Sequence, residues 1–160
     1  MRRCLAIAAV LLLASCTSPG ADDLYMHPEL DPAHPATALA DHALAAYFAS
    51  DLWDGTSTCV AGEDGREPVA LEFNEEARLM ARHVSLSSFD VCGLIDGKWT
   101  DTASQTPAHV IEVHGLSCPD AHHCTAFVRH SRWDVTGPDE RFAMTFADGH
   151  WAITNQGAMR

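Results

Sequence analysis

The amino-acid sequence predicts an α+β domain in which an N-terminal helix packs on an antiparallel sheet of about five or six strands, stapled by disulfides. Three observations carry this. One alanine-rich stretch has its large apolar residues on a single helical stripe. Two Asp-Gly pairs, Asp96-Gly97 and Asp148-Gly149, each separate two apolar runs; this is a strong hairpin signal, because both turn residues must adopt positive φ. Cys59, Cys92, Cys118 and Cys124 are spread through the same part of the chain. A length of 160 residues suits one domain with an extension, and 47% hydrophobic residues exclude a disordered chain.

The helix is expected over 36–53. Thr37 can cap it, Ala40, Leu44, Tyr47, Phe48 and Leu52 form the stripe, and Asp54-Gly55 ends it. Val69, Leu71 and Phe73 alternate with Ala70 and Glu72, as a strand does. Asn74-Glu75-Glu76 can open a short helix to about His83, with acids at its positive end; the same stretch reads equally as strand. Residues 89–95 and 98–101 form the first Asp-Gly hairpin, and 141–147 with 150–154 the last. In the last, Phe146 should face Trp151 and Met144 should face Ile153.

Between these lies a hairpin of 108–117 with 125–135. Four cysteines allow three pairings. Cys118 and Cys124 flank only Pro-Asp-Ala-His-His, so they are expected to close this hairpin, which leaves Cys59 to Cys92. If the two hairpin cysteines face each other, Glu112 opposes His130, His114 opposes Val128 and Val110 opposes Arg132. Ile111, Val113, Phe127, Trp133 and Val135 then turn to the core, with Arg129 misplaced among them and obliged to snorkel. Glu112, His114, His130, Arg132 and Asp134 are left on one polar face. A carboxylate beside imidazoles is what acid–base work or a metal site needs, and a solvated or partner-facing surface looks the same.

Cys118-Pro-Asp-Ala-His-His-Cys124 could also ligate zinc through its thiolates with His122 and His123. The disulfide reading is preferred, because exported thiols are usually oxidised before they meet metal; His122 and His123 then sit at a loop tip. The sequence carries no G-x-S-x-G, S-x-x-K or H-E-x-x-H motif, no phosphate cradle and no dinucleotide fingerprint. No cofactor is therefore expected, and the balance leans away from an enzyme.

The N-terminus explains the expected oxidising environment. Arg2-Arg3 precedes an apolar run at 4–13 that is too short to span a bilayer. Leu13-Ala14-Ser15-Cys16 follows, and it resembles the lipobox of bacterial lipoproteins. The resemblance implies a signal peptide over 1–15 and a lipidated Cys16. Two or more acyl chains would hold the protein on a membrane without a spanning helix. Thr17 and Ser18 stand where an Asp would favour inner-membrane retention in that family, which implies the periplasmic side of the outer membrane. Residues 16–35, rich in proline, read as a tether of roughly 25 Å root-mean-square span, and 36–160 as the domain.

The whole chain has 10 Lys+Arg against 22 Asp+Glu; processing removes two of the arginines, leaving 8 against 22, or −14. Such a surface should repel nucleic acid and speed encounter with a basic protein. A helix followed by an antiparallel sheet also resembles the small cone-like NTF2-like and cystatin-like domains. Together these features imply an outer-membrane lipoprotein acting as a protein-binding module. Inhibitors and immunity proteins against basic envelope-targeting hydrolases or toxins share the plan. The alternatives are a small-ligand-binding or hydrolytic cone using the His/Glu cluster, and a structural envelope lipoprotein.

Overall fold

A computed structural model describes residues 34–64 and 67–159 of the protein. The lipobox, Cys16 and nearly all of the expected tether lie outside the described residues. Within them the fold is α+β, with two α-helices, a mostly antiparallel seven-stranded sheet and two disulfides. Among the described residues no helix is long and apolar enough to cross a membrane.

Helix α1 spans Pro35–Phe48. Pro35, expected to close the tether, instead opens the helix, where its fixed φ is suited and its missing N–H is not needed. Thr37 is buried inside the first turn and caps nothing. The helix stops five residues before the expected end. Ser50 is the reason: its hydroxyl donates to the Tyr47 carbonyl at 2.7 Å and accepts from the Leu52 N–H at 3.2 Å, offering the backbone a local alternative to another turn. Of the expected stripe, Ala40, Leu44 and Tyr47 are buried, Phe48 is half-buried, and Leu52 lies beyond the helix and is 74% exposed.

The strands are β1 (Ser57–Asp64), β2 (Glu67–Val69), β3 (Cys92–Ile95), β4 (Lys98–Asp101), β5 (Ala108–Asp120), β6 (His123–Arg132), β7 (Val135–Thr136), β8 (Glu140–Ala147) and β9 (His150–Ala158). Their order in the large sheet is β2-β1-β5-β6-β8-β9, with β7 pairing off β6. β1, a strand without a hairpin signal in the sequence, runs parallel to β5. A parallel pair needs a long crossover. Here the crossover holds β2, helix α2 (Phe73–Arg82), a 3-10 turn at Phe89–Val91 and the β3–β4 hairpin. The ambiguous stretch after Leu71 is therefore helix, with Glu75 and Glu76 in its first turn and Arg82 in its last, as the helix dipole favours.

The β3–β4 hairpin turns at Asp96-Gly97 as expected but forms its own two-stranded sheet. The β8–β9 hairpin has the expected partners, Phe146 with Trp151 and Met144 with Ile153. Each face of the large sheet carries a core. On one face α1 lays Leu39, Ala40 and Leu44 against Ile111, Val113, Ala126, Val128, Phe142 and Met144. Burying each large side chain of that set contributes about 1.5–3 kcal/mol. On the other face Cys59, Ala61, Ala108 and Val110 pack with Cys92, Phe89 and Trp99 from the crossover.

The β5–β6 register departs from expectation by one residue. Glu112 pairs with Arg129, His114 with Phe127, Ile111 with His130, and His109 with Arg132. The irregularity between His114 and Ser117 causes the slip; a second, between Ser117 and Asp120, lies toward the hairpin tip, beyond the Ser117–Thr125 pair that keeps the expected register. Gly115 stands in the first with φ +59°, and a Cβ there would meet the Phe127 ring at 2.9 Å, so glycine is required. A one-residue slip sends every later side chain to the opposite face. Val128 and Ala126 thus face α1, Phe127 is only half-buried, Val135 is exposed, and Arg129 has no need to snorkel through a core.

Candidate functional site

The slip divides the expected polar face. Glu112 and His114 lie on one side of the sheet, His130 and Arg132 on the other, and Asp134 is exposed in the turn after β6. The five residues do not form one site.

On the side away from α1, Arg129 gathers the acids. Its guanidinium donates to Asp139 at 2.7 and 3.2 Å and approaches Glu112 at 3.5 Å. His114 Nε2 meets the same Asp139 carboxylate at 3.2 Å and its ring stacks on Phe127. The hydrogen bonds from Arg129 hold the Asp139 carboxyl below its ordinary range. Glu112 is 92% buried by the same packing, its side chain facing its one cation. Every charge here has a partner, so the cluster ties β5, β6 and the start of β8 together rather than presenting open chemistry.

The hairpin tip is similar. Cys118 is bonded to Cys124 and Cys59 to Cys92, as expected. The Asp120 carboxylate accepts the N–H groups of His122 and His123 at 2.8 and 2.9 Å and also meets the His123 ring. His122 and His123 are exposed, and His122 stacks on Phe146. Among the described residues no three His, Cys, Asp or Glu side chains are grouped to hold a metal ion.

On the α1 side the sheet is not filled to its end. A cavity of about 440 Å³ opens between the last turn of α1, β5, β6 and the start of β8. Its walls are mainly apolar: Ala43, Ala46, Val128, Pro138 and Phe142, with Leu52 from the segment after the helix. The early stop of α1 is what brings Leu52 there. Its polar lining includes His42, Ser50, His109, His130, Arg132, Glu140 and Asn155.

His109 is the residue the sequence reading passed over. It is 6% exposed, its ring stacks on Tyr47 with centroids 4.2 Å apart, and its Nε2 lies 3.1 Å from His130 Nδ1. Its own Nδ1 is buried with no hydrogen-bond partner. Burial first, then the neighbouring His130 and Arg132, pushes His109 down to about 4. Burial also lowers His130, against a pull upward from Glu140. Both rings are therefore neutral at pH 7. The Tyr47 hydroxyl is buried beside Thr58 and Thr56 without closing a hydrogen bond, and burial raises its pKa.

The charged groups at the rim hold partners. Arg132 is bound to Asp54, and Asn155 donates to Glu140 at 2.7 Å. The lining is thus largely apolar, with the buried pair of neutral imidazoles, the exposed His42 and the Arg132 and Glu140 charges at the rim, a composition suited to holding a small molecule. Comparison with known proteins found no matching family model, no matching curated protein and no matching solved structure.

Proposed function

We propose that this domain is a ligand-binding module of the cell envelope, tethered through Cys16, which holds a small apolar molecule between α1 and the sheet. The observation that carries the reading is the cavity of about 440 Å³ lined by His130 and Phe142, a size within the range of small-molecule sites. Ser50, a hydroxyl in its lining, is spent on the Tyr47 carbonyl and the Leu52 N–H, so binding is favoured over catalysis. Export and lipidation rest on the lipobox resemblance of Leu13-Ala14-Ser15-Cys16.

The test is a library of small apolar compounds screened by thermal shift on the full chain and on Ala46→Phe. Ala46 is exposed on the helix and lines the cavity, so phenylalanine there fills space without disturbing the core. Hits that stabilise the native protein and fail on the variant support the reading. Hits unaffected by the variant, or none, oppose it. Intact mass of the membrane-extracted protein tests the tether: a chain starting at an acylated Cys16 is expected, and an unprocessed start contradicts it.

A second reading is favoured by the excess of 22 Asp+Glu over 10 Lys+Arg. The acidic surface would steer a basic protein to the envelope, as an inhibitor or immunity protein does with a hydrolase or toxin. Its affinity should fall steeply with added salt.

A further inference from the structure

We propose that the ligand of this cavity is uncharged, with an apolar body and one carbonyl-type oxygen that accepts a hydrogen bond from His130 Nε2. The inference rests on the binding reading above and adds the chemical class.

The imidazole pair sets the polarity of the site. One nitrogen of each ring is spent on the 3.1 Å contact between His109 Nε2 and His130 Nδ1. Two proton arrangements satisfy it. In the first, His109 Nε2–H donates to His130 Nδ1, which leaves a bare lone pair on the buried His109 Nδ1 and puts the proton of His130 on Nε2. In the second, His130 Nδ1–H donates to His109 Nε2. That strands a buried N–H on His109 Nδ1, which has no partner. Orphaned buried N–H groups are rarer in proteins than under-satisfied acceptors, so the first arrangement prevails. His130 lines the cavity, and its Nε2 has no hydrogen bond within the protein. The cavity therefore presents a fixed N–H donor, and the complementary ligand group is an acceptor.

Charge selects the kind of acceptor. Arg132 already holds Asp54, while Glu140 keeps its negative charge because its partner Asn155 is a neutral amide, so the rim repels an anion. Burying an anion against Val128, Phe142 and Ala43 beside that carboxylate would be strongly unfavourable, and an ammonium has no acceptor to offer the His130 N–H. A ketone, ester or amide oxygen meets the donor without that penalty.

The experiment uses four probes sharing a phenyl ring and a short chain: butyrophenone, butylbenzene, phenylbutyrate and phenylbutylamine. Their affinities are measured for the full chain and for His130→Phe. Butyrophenone should bind roughly threefold to tenfold more tightly than butylbenzene, the worth of one neutral hydrogen bond, and the variant should erase that ratio. Tighter binding of the carboxylate or the amine, or an equal ratio in the variant, overturns the ligand class while leaving a binding cavity. Failure of all four overturns the cavity reading as well. Because His130→Phe also removes the partner of His109, nitrogen-15 histidine spectra of the native protein give a second readout. A proton on His130 Nε2 is expected, and a proton on His130 Nδ1 overturns the proposal.

Discussion

His109 Nε2 lies 3.1 Å from His130 Nδ1, an imidazole–imidazole hydrogen bond across β5 and β6 that only the bulged register allows. With the unslipped pairing His130 would face away from α1, and His109 would have no ring to meet. The contact is buried beside Tyr47, and the other charges near it are Asp54, Arg132 and Glu140.

The pair makes stability pH-dependent in a defined window. His109 has its pKa lowered from 6.5 to about 4 on folding, so the unfolded chain takes up the proton first as pH falls. Unfolding free energy should be level above pH 6.5 and fall between 6.5 and 4. His109 alone accounts for about 3 kcal/mol of that loss at 1.36 kcal/mol per pH unit, and His130 adds in the same direction. Urea unfolding at a series of pH values measures it. His109→Leu should make the slope shallower; an unchanged slope would place the acid sensitivity elsewhere.

Tyr47 offers a counter-intuitive test. Its hydroxyl is buried without a partner, so deleting it removes a desolvation penalty and no hydrogen bond. Tyr47→Phe should leave stability within about 0.5 kcal/mol of the native protein or raise it. A loss above about 1 kcal/mol would mean that Thr58 or Thr56 bonds the phenol in solution.

The two disulfides should differ in worth. Cys59–Cys92 spans 33 residues and Cys118–Cys124 spans 6. Loop entropy in the unfolded chain assigns about 4 kcal/mol to the first and about 2 kcal/mol to the second. Pairwise replacement by alanine, followed by denaturant unfolding, should reproduce that order. A larger loss from the short loop would show that native-state contacts, not chain entropy, dominate.

Asp41 fastens α2 to α1. Its carboxylate accepts from Arg82 at 2.8 and 3.0 Å and meets His83 Nε2 at 2.8 Å. α2 buries little else beyond Leu79 and Glu75. Asp41→Ala should speed amide exchange about tenfold across Phe73–Arg82 while β5 and β6 stay protected. Uniform acceleration would show that the whole domain, rather than this helix, has been loosened.

The fold was legible where a residue type forces a backbone state. Asp96-Gly97 and Asp148-Gly149 turn as their positive φ requires, and the short Cys118–Cys124 spacing pairs as expected. β1 was not, because Cys59-Val60-Ala61 is buried on both faces and shows no alternation. The site was half legible. His130 and Arg132 were singled out, but Glu112 and His114 belong to the opposite face and His109 was missed. The difference is one residue of register, and its sequence signal was Gly115, a glycine inside a strand pattern where bulges form.

Chemical-shift mapping with butyrophenone on the isotope-labelled full chain tests the central claim most directly. Saturable shifts confined to Ala43, Ala46, Tyr47, His130 and Phe142, in the walls of the cavity, are expected. Shifts centred on Glu112, Arg129 and Asp139 across the sheet, or none at saturation, would contradict it.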